Sequence, residues 1–252
     1  MASRFLRFVS FLSVLAVLIA SLPAPANGLE PHRVLLLYGG HDFDQPNFFR
    51  MFDRMHGISV TKAELPEAAD RLKPGLEKEF QVIVTYDMIK GLTPEQHQAF
   101  EELLKRGIGY VVLHHAIGGR PEWEGYHKVL GGKWIWQEQD IDGKTYPKST
   151  WRHGERIPVV VADKEHPITR GIKDFEIIDE VYGGLYVSPA VHVLLRSQRP
   201  DCNPEIAWVT QYGRSQVFYL MLGHDNQAWS NPVYAKLVLN SIRWAAASTL
   251  IP

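Results

Sequence analysis

Apolar runs that end at a histidine constrain this chain most. They span residues 34–38, 110–113 and 217–222, and they lead into His41, His114 and His224. Short apolar runs that are closed by glycines and separated by helical patterns predict buried parallel strands. In an open α/β sheet, ligands bind where the carboxyl ends of the strands meet the loops. We therefore expect the three imidazoles to share one cleft, where histidine suits proton transfer or metal ligation near neutral pH.

The first 28 residues have the pattern of a signal peptide. Arg4 and Arg7 give a positive start, residues 8–19 are almost wholly apolar, and residues 24–26 read Ala-Pro-Ala, which is typical of a cleavage site. We predict cleavage after Ala26 and a periplasmic or secreted protein, with an uncleaved anchor as the alternative. The apolar stretch is too short to span a membrane comfortably.

Residues 29–252 are predicted to form a single α/β domain. Residues 93–96 read Thr-Pro-Glu-Gln, a strong helix start with a capping box, and a strand at 110–113 follows that helix. Strands that alternate with helices imply right-handed crossovers and a parallel sheet. Residues 191–195 and 206–210 look like antiparallel additions, while 133–154 are interpreted as an inserted loop or hairpin over the site.

Charge and cysteine content exclude several classes of function. The formal charge is −1, and it becomes −3 without Arg4 and Arg7, so nothing favours nucleic acid or an anionic membrane as a partner. The only cysteine, Cys202, cannot form an internal disulfide and lies in a loop-like segment that follows no strand. A cysteine nucleophile is not expected.

An ordered set of motifs resembles the ThuA-like (trehalose utilisation) family. The motifs are Leu113-His-His-Ala116, Glu122-Trp123, Leu130-Gly-Gly132, His166-Pro-Ile168, Asp174-Phe175, Asp179-Glu-Val-Tyr182 and Gly223-His-Asp225. The resemblance covers roughly residues 33–247. It implies a flavodoxin-like three-layer sandwich similar to class I glutamine amidotransferases, with a mostly parallel sheet and antiparallel additions. It also implies a link to bacterial sugar catabolism, including 3-keto disaccharides.

Glutamine hydrolysis is not expected of this chain, despite the implied fold. The amidotransferase relatives carry a nucleophilic cysteine on the turn after a strand, whereas the corresponding turn here carries His114. Without a thiolate, acyl-enzyme chemistry loses its nucleophile. A shared fold transfers the position of the cleft and not the reaction.

His114, His224 and Glu180 are the predicted catalytic residues. His114 ends a central strand and acts either in acid–base chemistry or as a metal ligand, unless it is a core histidine bonded to backbone. Glu180 either fixes an imidazole tautomer, binds a sugar hydroxyl or accepts a proton. The alternative for the acidic pair at 179–180 is an ordinary solvated turn.

A further group of residues is predicted to contact the substrate. Aromatic faces beside polar groups suit a sugar ring. The group is His41, Asp42, His115, Tyr182, Asp225, Trp229, Trp123 and His153, with Trp134, Trp136 and Trp151 as other aromatic candidates. Capping a following segment is the alternative role for Asp225, and core packing is the alternative for most tryptophans.

These observations leave three hypotheses for function. The first is an exported enzyme that acts on a sugar or 3-keto-glycoside by His/Glu acid–base chemistry. The second is a metal-assisted hydrolase with His41, His114, His224 and a carboxylate as ligands of a divalent metal, although no local ligand spacing supports it. The third is a non-catalytic sugar-binding module. The partner in each case is a small carbohydrate, no cofactor is assigned, and a homo-oligomer is compatible with the sequence.

Overall fold

A large mixed sheet organises the chain. The computed structural model describes residues 30–250, and within them nine strands form one sheet in the order β2-β1-β3-β4-β13-β12-β11-β8-β9. The strands are β1 His32–Gly39, β2 Ile58–Glu64, β3 Val82–Asp87, β4 Gly109–Leu113, β5 Gly132–Lys133, β6 Gln139–Ile141, β7 Lys144–Tyr146, β8 Thr150–Val161, β9 Phe175–Gly183, β10 Tyr186–Val187, β11 His192–Ser197, β12 Glu205–Tyr212 and β13 Ser215–Leu220. The helices are α1 Gln45–Asp53, α2 Pro94–Lys105, α3 Tyr126–Leu130, α4 Asn226–Trp229 and α5 Pro232–Ala246.

The sheet has a parallel half and an antiparallel half. Strands β2, β1, β3, β4 and β13 run parallel to one another. Strands β12, β11, β8 and β9 continue the sheet in antiparallel pairs. The predicted fold class is therefore confirmed, including the antiparallel additions at 191–195 and 206–210.

Helices cover both faces of the parallel half. Successive residues of a strand point to opposite faces of the sheet. A Cβ atom on Gly109 would lie 2.4 Å from the backbone oxygen of Ala245, so this face packs directly on α5. The next residue, Tyr110, contacts the ring of Phe100 in α2 and the hydroxyl of Tyr126 in α3. These contacts produce the three layers that the sequence predicts.

The β8–β9 pair extends beyond the sheet as an arm, which we define as residues 150–153 and 180–183. A shift of register between Arg152 and Glu155 interrupts the ladder, and Gly154 at this point has a φ of +68°. Bulges of this kind bend a strand and increase its local twist. Although β9 is five places from β4 in strand order, the arm reaches the carboxyl end of β4, where Tyr182 contacts His114.

Several local predictions can be compared with these elements. The Thr93 capping box is confirmed, and Asn231 caps α5 as the sequence indicates. The sequence of residues 121–130 predicts a short helix that ends at Gly131-Gly132, but only Tyr126–Leu130 is helical and no side chain caps its start. The interpretation of 133–154 as an inserted loop or hairpin is right for the β6–β7 hairpin. It is wrong for the last residues of the segment, which begin β8.

The sequence predicts a strand over 157–161 that begins at an edge of the sheet because of Pro158, but Pro158 lies inside the longer strand β8. Pairing of β8 with β11 covers only residues 159–161, so Pro158 has a partner strand on one side, as it would at an edge. The predicted signal peptide, residues 1–28, lies outside the described residues. No helix within residues 30–250 is both long and apolar enough to cross a membrane.

Candidate active site

His114 sits on a strained turn at the end of β4. Its φ is +50°, a backbone conformation that residues other than glycine rarely adopt. Its Nδ1 lies 2.6 Å from the backbone oxygen of Met221. Because a carbonyl can only accept, Nδ1 carries a proton, and Nε2 is the nitrogen that faces the other polar groups. Non-glycine residues in this region cost about 1–3 kcal/mol each and concentrate at functional sites.

Polar atoms from β9 and from the loop after β13 surround His114 Nε2. His114 Nε2 lies 3.0 Å from Glu180 Oε2, 3.2 Å from His224 Nδ1 and 2.9 Å from the Tyr182 hydroxyl. His224 Nδ1 is 3.4 Å from the same carboxylate oxygen. The three predicted catalytic residues thus meet at one point.

The second oxygen of Glu180 holds a histidine of the arm. His153 Nδ1 lies 3.0 Å from Glu180 Oε1, and its ring centroid is 4.2 Å from that of His224. The His153 side chain is 50% exposed, whereas that of Glu180 is 7% exposed. A nearly buried carboxylate therefore orients imidazoles that lie at the surface of the cleft.

Asp179 fixes the loop that carries His224. Its two oxygens accept hydrogen bonds from the backbone N–H groups of Gly223, at 2.7 Å, and of His224, at 2.9 Å. Gly223 has a φ of +119°, and a Cβ atom there would lie 2.2 Å from the Tyr234 hydroxyl. Trp229 donates to the backbone oxygen of Gly223 at 2.8 Å. This role of Asp179 was not predicted from the sequence, where the only indication of it was the acidic pair at 179–180.

The charges of the cluster reinforce one another. Burial alone would raise the pKa of Glu180, but hydrogen bonds and charge from His114 and His224 hold it well below its ordinary value. Burial alone would lower the pKa of His224, but Glu180 raises it above the ordinary value. Burial, followed by the charge of Glu180, raises the pKa of Tyr182 well above 10.0, so this hydroxyl keeps its proton.

A second pair of histidines faces the same cleft. His41 and His115 stack with ring centroids 4.7 Å apart. Burial, together with the neighbouring imidazoles of His114 and His41, lowers the pKa of His115 well below 6.5. Its Nε2 is buried and has no protein partner among the described residues. His115 is therefore a neutral imidazole with an unused polar atom.

The cleft around these groups is lined largely by aromatic rings. Its volume is about 290 Å³, near the lower end of the range for small-ligand pockets. Trp151, which is 55% exposed, adjoins His153 at a centroid distance of 4.7 Å. The lining residues are His41, Met88, His114, His115, Ile117, Gly118, Trp134, Trp136, Trp151, His153, Glu180, Tyr182 and His224.

Four of the predicted substrate contacts do not line this cleft. Asp42 is exposed, and Asp225 caps α4 by accepting from the backbone of Gln227. Trp123 packs between the rings of His97 and Tyr126. Trp229 is buried and supports the Gly223 loop, as described above. The capping and packing alternatives therefore describe Asp225 and the two tryptophans.

The ligand set for a metal differs from the predicted one. Within the described part of the chain, His114, Glu180 and His224 form a group whose ligand atoms all lie within 4.8 Å of one another. His41 does not belong to this group. Cys202 lies outside the cleft, and burial raises the pKa of its thiol, which gives it no nucleophilic character.

Comparison with known proteins supports the resemblance. The family model described as ThuA, trehalose utilisation, matches residues 33–245. No curated protein matches the chain.

Solved structures with similar folds include two ThuA-like proteins. The one from Parabacteroides merdae is 17% identical, with a TM-score of 0.70 over 86% of this chain and 90% of that chain. The one from Bacteroides uniformis is 21% identical, with a TM-score of 0.64 over 88% and 95%. A chain of PurLQS from Thermotoga maritima is 15% identical, with a TM-score of 0.52 over 86% and 99%. At these identities the likeness shows the fold alone.

Proposed function

We propose that this chain, which belongs to the ThuA (trehalose utilisation) family, is an exported enzyme that acts on a sugar or 3-keto-glycoside by histidine–glutamate acid–base chemistry. One observation carries the proposal: Glu180 contacts the imidazoles of His114, His153 and His224 beside an aromatic cleft. Carboxylate–imidazole pairs are a recurrent arrangement for proton transfer in enzymes.

The lining of the cleft supports a carbohydrate as the substrate. Trp134, Trp136 and Trp151 supply aromatic faces, on which the C–H face of a sugar ring stacks. The imidazoles of His115 and His153 supply polar atoms for hydroxyl groups.

A keto group would make ordinary side chains sufficient for the chemistry, because a carbonyl acidifies the neighbouring C–H bond. Glu180 accepts from His153 Nδ1, which leaves His153 Nε2 with a lone pair as the base. His224, whose pKa Glu180 raises, supplies a proton to the developing oxyanion.

His114 acts through its neighbours in this scheme. Its side chain has no exposed surface, so it positions Glu180 and His224 and does not meet the substrate directly. A positioning role predicts that His114→Asn changes the pH profile of turnover as well as the maximal rate.

The test is incubation with a panel of glycosides and 3-keto-glycosides, followed by mass spectrometry and NMR of the products. We expect turnover of at least one keto-glycoside, with Glu180→Gln and His224→Gln reduced by about 10²–10⁴-fold. His192→Gln, an exposed surface variant, is the matched control. Saturable sugar binding without any product would refute the enzyme and indicate a sugar-binding module.

Export is tested separately. The signal-peptide pattern of residues 1–28 predicts a periplasmic or secreted protein whose mature chain begins at Asn27. Cell fractionation and N-terminal sequencing of the native protein check this expectation. An unprocessed N-terminus in the cytoplasmic fraction would contradict it.

A further inference from the structure

We propose that His114 Nε2, His224 Nδ1 and Glu180 Oε2 form a binding site for one divalent transition metal of the zinc type. The site goes beyond the proposed sugar chemistry and does not depend on the identity of the substrate. The three atoms come from the end of β4, the loop after β13 and the arm, so only the folded chain assembles them.

The spacing of the three atoms fits a metal ion. Zinc bonds to histidine nitrogen at about 2.0–2.1 Å and to carboxylate oxygen at about 2.0–2.2 Å, in tetrahedral geometry, which separates neighbouring ligand atoms by about 3.3 Å. The observed separations are 3.0, 3.2 and 3.4 Å. An ion above this triangle therefore reaches all three atoms with little movement of the side chains.

The surroundings of the ligands match those of known metal sites. A metal-bound histidine usually donates its other ring N–H to a carbonyl or carboxylate, which fixes its tautomer and orientation. His114 Nδ1 is held in this way by the backbone oxygen of Met221 at 2.6 Å. The second oxygen of Glu180 is held by His153, and Asp179 holds the backbone of His224.

The ligand set leaves room for a substrate. Two histidines and one carboxylate are three protein ligands, the number found in catalytic zinc sites and in facial triads with open positions. His224 and Glu180 line the cleft, and the His224 side chain is 24% exposed. The open position therefore faces the cleft, where water or the oxygens of a sugar can enter.

Metal binding is tested on the untagged full chain after treatment with a chelator. We expect one Zn²⁺ per chain by isothermal titration and elemental analysis, a visible absorption band with Co²⁺, and a higher melting temperature with Zn²⁺. Loss of an outer partner typically weakens metal binding by about 10–100-fold. Glu180→Gln and His224→Gln each remove a ligand, so we expect losses of at least about 100-fold.

Two control variants separate this site from others. His41→Gln removes a cleft histidine that lies outside the ligand group, and His192→Gln alters an exposed pair with Asp163. Both should keep the affinity of the wild-type chain. The metal-site proposal would be overturned if the chain bound neither Zn²⁺ nor Co²⁺ stoichiometrically. It would also be overturned if binding survived Glu180→Gln and disappeared in His192→Gln.

The same preparations distinguish this inference from the proposed function. Turnover without any metal binding removes the metal site alone. Stoichiometric Zn²⁺ that suppresses turnover supports both, because a zinc-bound His224 no longer carries the proton that it supplies in the proposed mechanism. Stoichiometric Zn²⁺ that turnover requires supports the site and replaces the metal-free mechanism.

Discussion

Replacing Glu180 by glutamine tests whether one carboxylate organises the histidine cluster. Glutamine has nearly the same shape but no charge, so Glu180→Gln preserves packing while it removes the anion 3.4 Å from His224 Nδ1. Burial lowers the pKa of His224, whereas Glu180 and, to a smaller extent, Asp179 and Asp225 raise it. Without the Glu180 carboxylate only the two smaller contributions oppose burial, and the pKa of His224 should fall below the ordinary value of about 6.5.

The separation of the two groups bounds the size of this fall. At 3.4 Å, unit charges interact with about 1.2 kcal/mol in bulk water and about 4.9 kcal/mol at an effective dielectric constant of 20. An opposite charge at this range typically moves a pKa by about one to three, and each pKa unit corresponds to about 1.4 kcal/mol. We therefore expect Glu180→Gln to lower the pKa of His224 through the loss of about 1–5 kcal/mol of charge attraction.

Histidine NMR titration of the chelator-treated protein measures this pKa. Asp163→Asn is the matched control, because it removes the carboxylate that pairs with the exposed His192 and should leave the pKa of His224 unchanged. Thermal unfolding checks that both variants are folded. A His224 pKa that stays above 6.5 in folded Glu180→Gln would refute the account of the site, because some other anion would then hold the imidazolium.

The remaining predictions concern stability. Gly223→Ala should lower the free energy of unfolding in urea by more than about 1–3 kcal/mol, because its Cβ meets a buried tyrosine. Gly75→Ala, at a φ of +111° with open space around it, should cost less. Asp87→Asn breaks a fully buried ion pair with Arg120 and should cost about 3–5 kcal/mol, which denaturant titration measures. Burial lowers the pKa of His97, so the folded state favours its neutral form. The free energy of unfolding should therefore fall by up to about 1.4 kcal/mol per pH unit below pH 6.5 for His97 and for each other histidine that burial keeps neutral. His97→Phe should flatten this slope.

The ends of the parallel strands were predictable from sequence. Apolar runs closed by glycine predict buried strands, and parallel strands place their carboxyl ends at the same edge. That rule predicts one cleft for His41, His114 and His224, and all three line it. The direction of individual side chains was not predictable in this way: Trp229 is buried in the core and Trp123 packs against it, although both lie in segments that follow strand ends.

The contribution of the arm could not be predicted, because it depends on a single irregularity in the β8–β9 ladder. Strand order alone would place β9 far from β4. The bulge between Arg152 and Glu155 gives no clear signal in sequence, since Gly154 is also typical of an ordinary turn. Glu180 was predicted from the motif it belongs to, with contact to an imidazole as one of three possible roles, whereas its contact with His153 was not predicted.

The site combines two supports with different physical origins. His114 and His224 follow β4 and β13, which pair directly in the parallel half, and Asp179 of β9 holds the loop that carries His224. Glu180 and His153 come from the arm, which only antiparallel pairing joins to the sheet. Since Glu180 is the carboxylate that contacts all three imidazoles, both the charge of the cluster and its metal-sized spacing depend on how the arm is seated. Changes in the arm should therefore alter proton transfer and metal affinity together, while the packed core that defines the fold remains intact.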